Sequence, residues 1–316
     1  MTKYAYIVGA CSKYTPELNA LINSLDYVGN TYDFHLLGIH LEDSFTSQFD
    51  KLGYKIIHHK ISEEEIAESH GISEVTCRKR YWYAGEIGKD YDAICVLDAD
   101  LIFTRNPWQF FDIAAKTGFV LGVHKEQNKV YDREHHKAKG VPLVEPGFWN
   151  DKDLCNCPLF IDARKYEVPL KRSWDIFMDG FPDTNFKAPD MDAMNLTFLE
   201  AGLYDKIIKL SNHSWLGTNE SILKPYTRAI LKHGLLFTEN GQEIFCFHGQ
   251  YYKHKWRECQ LDNRHRCAEG YLKCNMDSQA KGSMELLTSI FNKMCFEHKV
   301  IIEPKNYCHP ELDHRE

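Results

Sequence analysis

The sequence predicts an α/β protein built on a single, mostly parallel sheet flanked by helices. Two observations carry this prediction. Apolar runs with β-branched residues alternate along the chain with helical patterns, which favours βαβ units and a parallel sheet. The stretch YDAICVLDADLIF, from Tyr91 to Phe103, is continuously apolar up to two aspartates, as in a strand buried on both faces. With 316 residues and 43% hydrophobic content, the chain can bury a sizeable core.

The opening of the chain predicts a Rossmann-like unit. A strand at residues 4–8 runs into a loop of small residues at 9–12. Thr15 is a good N-cap and Pro16 fits the first helical position, so a helix follows. This order of strand, small loop and helix is typical of nucleotide binding. The loop lacks the GxGxxG pattern, which excludes the phosphate fingerprint of a dinucleotide fold.

The alternation continues through the middle of the chain. Ser62 and Glu65 form a capping box that starts a short helix. A later helix carries the basic residues Arg78, Lys79 and Arg80 and leads directly into the strand with the two aspartates. The other predicted elements are strands at 34–41, 55–61, 119–123, 157–161, 206–210 and 243–247, and helices at 44–52, 76–87, 190–199 and 283–296.

Asp98 and Asp100 are the first candidate site residues. They end a buried strand, and an apolar triplet follows them, so both carboxylates are expected near the core. Bare charges there are costly to desolvate, and a divalent cation held by oxygen ligands would neutralise them. Ligands of open parallel sheets bind at the carboxyl ends of the strands, which is where this pair falls.

Composition bounds the class of protein. The formal net charge of −7 does not favour a general nucleic-acid binder. The start of the sequence lacks the apolar core of a signal peptide, and no apolar run is long enough to span a membrane, so we expect a cytoplasmic protein. Its 11 cysteines are then expected to be thiols. We expect a catalytic domain at residues 1–282 and a C-terminal helical extension at 283–316.

Several motifs, in this order, resemble glycosyltransferase family 8, the glycogenin and bacterial galactosyltransferase group of the GT-A class. They are the first strand with its small loop, the basic helix, VLDADLIF as the family's DxD motif, and HGQYYKHKW from His248 to Trp256. The last stretch is similar to the family's closing His-to-Lys-Pro-Trp motif. The resemblance covers roughly the first four-fifths of the chain. It implies a GT-A fold with one Rossmann-like domain.

The resemblance also implies a metal site. Asp98, Asp100 and His248 would bind Mn²⁺ or Mg²⁺ together with the diphosphate of the donor. Two carboxylates with one imidazole and phosphate oxygens suit Mn²⁺.

A donor site follows from the same resemblance. Small residues would border the base and ribose, Arg80 would meet the sugar or phosphate, and two late lysines would close on the diphosphate. The nucleotide would lie against the backbone at the small residue between the aspartates. The complete predicted donor set is Gly9, Ala10, Cys11, Tyr14, Arg80, Asp98, Ala99, Lys253 and Lys255.

The predicted catalytic residues are Asn156, Asp190 and Asp192. Asn156 matches the asparagine of the family's Asn-Ser-Gly motif, which reads Asn-Cys-Pro here. Asp190 and Asp192 stand at a helix start, where they would bind sugar or acceptor hydroxyls or take the acceptor proton. Helix capping is the alternative role for one of them. The family retains anomeric configuration, and the altered residues around the sugar leave the stereochemistry of this chain open.

The implied function is transfer of a sugar from a nucleoside-diphosphate sugar, with UDP-sugars favoured, to a hydroxyl of a glycan, lipid or protein. A modified DNA base is a further acceptor, because aromatic and basic residues alternate between Tyr251 and Arg266. The same stretch favours a rival class, a nucleotide- or nucleic-acid-binding protein without activity. A nucleotidyltransferase is the rival enzyme, although the glycine-rich, lysine-bearing loop expected after its first strand is missing.

Overall fold

The computed structural model describes residues 3–30, 32–50, 53, 55–124, 154–180, 189–210 and 229–248, with part of 286–298. The strands are β1 Tyr4–Cys11, β2 Asp33–Ile39, β3 Ile56–Lys60, β4 Ala93–Asp98, β5 Leu101–Phe103, β6 Val120–His124, β7 Leu154–Ile161, β8 Ile207–Leu210, β9 Ala229–Lys232, β10 Leu235–Thr238 and β11 Cys246–His248. Seven of them form one sheet in the order β3-β2-β1-β4-β7-β6-β8. In this sheet β7 runs against its neighbours and the other strands are parallel, so the predicted mostly parallel sheet is confirmed.

Helices flank the sheet. They are α1 Thr15–Tyr27, α2 Asp43–Ser47, α3 Glu63–Glu68, α4 Ile72–Glu74, α5 Arg80–Gly88, α6 Trp108–Thr117, α7 Ala163–Gly180 and α8 Pro189–Glu200. A π-helical segment, Val75–Lys79, joins α4 to α5. In the part of the chain that the structure describes, no helix is long and apolar enough to cross a membrane.

The apolar core lies on both faces of the sheet, as the continuous apolar strands predict. Tyr6 and Val8 of β1 pack in a cluster with residues of α1 and α6. Ala5 and Ile7, the alternate residues of the same strand, pack in a second cluster with residues of α5 and α7. Strand β1 is buried along its whole length, so its carboxyl end reaches the edge of the sheet inside a packed layer.

Three local predictions need correction. The predicted loop at residues 9–12 is strand as far as Cys11, because β1 pairs with β2 and β4 up to that edge. The predicted helix at 76–87 starts earlier, at Ile72, and contains the π-helical segment. The antiparallel pair β9 and β10 was not predicted. One half of the predicted capping box is confirmed, since the Ser62 hydroxyl accepts the Glu65 N–H at 3.1 Å. The Glu65 carboxylate accepts from the Tyr83 hydroxyl and pairs with Lys79.

The described part of the C-terminal segment packs on the same fold. Leu287 and Met294 are buried in a cluster with Ile102 of β5 and Phe247 of β11. The side-chain amide of Asn23 on α1 donates to the Met294 carbonyl at 2.8 Å. This segment therefore contributes to the core beneath β5 and β11, while the boundary at residue 283 stays a prediction.

Candidate functional site

The candidate site is built around the turn that follows β4 at the carboxyl edge of the parallel strands. Strand β4 ends at Asp98, which is in register with Gly9 of β1. After Ala99 and Asp100 the chain enters β5. Asp100 is 5% exposed and Ala99 is also buried, whereas the side chain of Asp98 is 27% exposed. The turn therefore holds one buried carboxylate and one that reaches the surface.

Arg80, the first residue of α5, supplies a buried positive charge to this turn. Its side chain is 1% exposed. Its Nη1 donates to the Leu97 carbonyl at 2.9 Å and to the Asp98 carboxylate, and its Nη2 donates to the Tyr81 hydroxyl at 3.2 Å. Burial acts to lower the pKa of the Arg80 guanidinium, but Asp98 outweighs it and raises that pKa well above its usual range. Arg80 therefore stays positively charged in its ion pair with Asp98.

Cys157 accepts a hydrogen bond from the backbone of Asp98. It lies on β7, the neighbour of β4, and is buried. The backbone N–H of Asp98 donates to the Cys157 Sγ at 2.7 Å. The sequence prediction missed this role, and the only available signal was that a thiol stands where the resembled motif has a serine hydroxyl. The backbone of Asn156 lies on the same strand, and its side chain is outside the described residues.

The pairing of β5 with β11 brings the predicted metal residues into one neighbourhood. The two strands are antiparallel, and His248 is in register with Leu101, the residue directly after Asp100. The backbone of His248 therefore lies beside the turn that carries both aspartates. The His248 side chain is outside the described residues, and no cluster of three metal-binding side chains occurs among those the structure describes.

Gly9 is explained by a close backbone approach. A Cβ atom at this position would lie 2.2 Å from the Thr76 carbonyl oxygen, which belongs to the π-helical segment. The absence of a side chain at Gly9 lets this segment pack on the end of β1, next to Asp98. π-Helical segments are frequent at functional sites, and this one ends immediately before Arg80. Of the other predicted base-site residues, Ala10 and Cys11 are buried and Tyr14 is half-buried at the end of a 3₁₀ turn, Ser12–Tyr14.

The neighbouring basic residues, Arg78 and Lys79, are not on a solvated face. Each side chain is 16% exposed. Arg78 pairs with Glu74 at 2.9 Å and lies 4.8 Å from the ring centre of Phe177. Lys79 pairs with Glu65 at 3.0 Å and lies 5.6 Å from the ring centre of Trp174. Both therefore fix the helix in place, and neither contacts the aspartate turn.

The remaining predicted residues are placed only in part. Asp190 and Asp192 lie in the first turn of α8, whose helix packs against β7 and the π-helical segment. Their side chains are outside the described residues, as are Lys253 and Lys255 entirely.

No protein-family model and no curated protein matches this sequence. Solved structures are similar in fold. The galactosyltransferase LgtC in complex with donor and acceptor sugar analogues matches 89% of this chain and 100% of its own, with TM-score 0.51 and 12% identity. An active-site mutant of LgtC matches 98% and 100%, with TM-score 0.54 and 12% identity.

Two further glycosyltransferases have lower scores. Mouse xyloside xylosyltransferase 1 matches 80% of this chain and 98% of its own, with TM-score 0.48 and 12% identity. The bifunctional glycosyltransferase WbbM has TM-score 0.46 and 13% identity over 68% of this chain, which spans only 40% of WbbM. The likeness to LgtC extends over nearly the whole of both chains. We conclude that this chain has the GT-A fold, the one that the sequence motifs predict.

Proposed function

We propose that this protein is a metal-dependent glycosyltransferase that moves a sugar from a nucleoside-diphosphate sugar, preferentially a UDP-sugar, to an acceptor hydroxyl. The observation that carries the proposal is the turn from Asp98 to Asp100. It lies at the carboxyl edge of a GT-A sheet, and the strand that ends in His248 pairs directly beside it. In open α/β sheets this edge is where ligands bind.

The chemistry of the residues fits a divalent cation. Asp98 and Asp100 offer carboxylate oxygens within three residues, and Asp100 is held in the protein interior. With the imidazole of His248 they would make a mixed oxygen and nitrogen set that suits Mn²⁺ and accepts Mg²⁺. When bound, the cation would supply positive charge to the diphosphate of the donor.

The chain's own residues would bind and orient the reactants. Gly9, Ala10, Cys11 and Tyr14 would border the nucleoside, and Ala99 would leave room for it against the backbone. Lys253 and Lys255 would balance the negative charge that grows on the leaving diphosphate.

The sugar and acceptor side of the proposed site depends on α8 and β7. Asn156 would bind the donor sugar, and Asp190 or Asp192 would bind the acceptor hydroxyl or take its proton. The packing of α8 against β7 supports this grouping, because β7 pairs with β4, the strand that ends in Asp98. LgtC, the similar structure, was solved with a donor and an acceptor sugar analogue, which favours a glycan acceptor over a lipid, protein or modified DNA.

A ligand screen followed by product analysis tests the proposal. Binding to the folded state raises the melting temperature, so we expect nucleoside diphosphates and nucleotide-sugars to stabilise the protein only with Mn²⁺. Incubation of the stabilising donor with mixed acceptors should add the mass of one sugar. Release of pyrophosphate instead would identify a nucleotidyltransferase. Stabilisation by DNA or RNA, with steep salt dependence and no nucleotide-sugar effect, would identify a binding protein.

We propose that the protein is cytoplasmic. Among the described side chains, Cys11, Cys77, Cys95, Cys157 and Cys246 form no disulfide. A reducing compartment keeps such thiols in this state.

A further inference from the structure

The ion pair between Arg80 and Asp98 has a consequence for the proposed metal site. We propose that Arg80 is a positioning residue, which fixes the Asp98 carboxylate for the cation and does not itself contact the donor. This inference rests on the proposed function. It reassigns Arg80, which is one of the three basic residues that the sequence places in the donor site.

Burial is the first argument. With 1% of its side chain exposed, the guanidinium lies beneath the end of β4 and not on the surface of the site. Its Nη1 bridges the Leu97 carbonyl and the Asp98 carboxylate, so one donor group binds the strand and its terminal side chain together. A sugar hydroxyl would reach the guanidinium only if Arg80 left its ion pair with Asp98. A buried arginine without its carboxylate partner strongly destabilises the protein.

The geometry of Asp98 is the second argument. Arg80 binds the Oδ1 atom of the carboxylate. A cation held through Oδ2 alone leaves the ion pair intact, whereas a cation held by both oxygens would displace the guanidinium. At the other end of the residue, the backbone N–H is held by the Cys157 Sγ. Asp98 is therefore fixed at two points, and its carboxylate is presented to the cation in one orientation.

The packing of the π-helical segment that precedes Arg80 is the third argument. The π-helical segment packs on Gly9, and Gly9 is in register with Asp98. The same segment ends at Lys79, so its position sets that of Arg80. The packing of the π-helical segment on Gly9 thus positions Arg80, and the buried ion pair positions the carboxylate of Asp98. Structure of this kind is needed to hold a ligand group and is not needed to cover a sheet edge.

Two opposite effects make the inference testable. Removing a positive charge beside Asp98 strengthens cation binding by simple electrostatics. Removing the group that orients the carboxylate weakens cation binding, because the carboxylate must then lose its conformational freedom when the cation binds. The positioning role requires the second effect to exceed the first.

The experiment measures Mn²⁺ affinity, from the electron paramagnetic resonance signal of free Mn²⁺, for the wild type, Arg80→Met, Arg80→Lys and Arg78→Met. We expect Mn²⁺ to bind about tenfold more weakly to Arg80→Met. Lysine keeps the charge without the planar fork, so Arg80→Lys should fall between wild type and Arg80→Met. Arg78→Met is the matched control, because Arg78 is also ion-paired and its side chain is only 16% exposed, but it contacts Glu74. Its Mn²⁺ affinity should stay within about twofold of wild type.

A second pair of variants keeps the test independent of folding defects at Arg80. Cys157→Ser retains an acceptor for the Asp98 N–H and should bind Mn²⁺ like wild type. Cys157→Ala removes the acceptor and should bind about threefold more weakly. Tighter or equal binding by Arg80→Met, or by Cys157→Ala if the arginine variant does not fold, would overturn the positioning role. Absence of Mn²⁺ binding by wild type would instead overturn the proposed function.

Discussion

The two ends of the parallel strands differ in the charge and the pairing of their buried polar groups. At the carboxyl end, the buried guanidinium of Arg80 pairs with Asp98 in the turn that also carries the buried Asp100. At the amino end, a chain of hydrogen bonds joins His59, His35, Tyr91 and Asp33. His35 Nδ1 lies 3.0 Å from His59 Nε2, His35 Nε2 lies 2.7 Å from the Tyr91 hydroxyl, and that hydroxyl donates to Asp33 at 2.8 Å.

The ionisation at the amino end explains the difference. Burial, reinforced by the positive charge of a protonated His59, lowers the pKa of His35 to about 4. Burial and the hydrogen bond to Asp33 raise the pKa of Tyr91. Both groups are therefore neutral at pH 7, and they satisfy each other inside the protein. At the amino end two neutral groups, His35 and Tyr91, stabilise the fold by binding each other, whereas the carboxyl end holds a buried guanidinium next to a partly exposed carboxylate.

The largest expected effect is on activity, from the buried carboxylate. Asp100→Asn keeps the shape of the side chain and removes its charge, so we expect sugar transfer to fall by about a thousandfold or more. Asp33→Asn is the matched change at the amino end and should leave transfer within about twofold, because Asp33 only accepts from Tyr91 and pairs with Lys55. Initial rates of nucleotide release check both. Equal losses in the two variants would remove the distinction between the ends.

The next effect is on stability at the carboxyl end. Gly9→Ala places a Cβ against the backbone of Thr76, which cannot move without shifting the π-helical segment. We expect a loss of about 2–3 kcal/mol in the free energy of unfolding, measured with urea. Gly38→Ala is the control, because its Cβ meets the side chain of His58 and not a backbone segment, and should cost less. A larger loss for Gly38→Ala would contradict the explanation of Gly9.

The free energy of unfolding should change by a similar amount with pH, because of His35 at the amino end. In the folded protein His35 has a pKa of about 4, below the 6.5 of the unfolded chain. The unfolded state thus binds more protons between these values, so stability is full above pH 6.5 and falls as the pH drops towards 4. We expect His35 to account for about 3 kcal/mol of that loss. Urea unfolding of His35→Gln across this range should show a shallower pH dependence, and an unchanged slope would contradict the assignment.

The smallest effect should come from Tyr91→Phe. It removes the hydroxyl that links His35 to Asp33. We expect a loss of about 1–2 kcal/mol in the free energy of unfolding and Mn²⁺ affinity equal to wild type. Weakened Mn²⁺ binding would show that the two ends are coupled.

The strands and the aspartate turn could be predicted from sequence because their signals are local. Apolar runs stand on both sides of Asp98 and Asp100. Both runs are buried most readily if the two aspartates form a turn at the edge of the core. The register of β5 with β11 also fits the expected meeting of His248 with this turn.

The environment of Arg80 could not be predicted from sequence, for a physical reason. The spacing of Arg78, Lys79 and Arg80 was interpreted as α-helical, but the segment before Arg80 is π-helical and its hydrogen bonds skip one more residue. A π-helical turn rotates the residues that follow it relative to an α-helix, and this one packs against Gly9. That contact is tertiary and leaves no periodic signal.

The most direct test of the metal-dependent donor site is calorimetric titration of UDP into the wild type and Asp100→Asn, each with Mn²⁺ and with chelator. Our account predicts that UDP binds the wild type with Mn²⁺, that chelator abolishes this binding, and that Asp100→Asn binds weakly in both conditions. Equal UDP affinity for both proteins, with or without Mn²⁺, would contradict it.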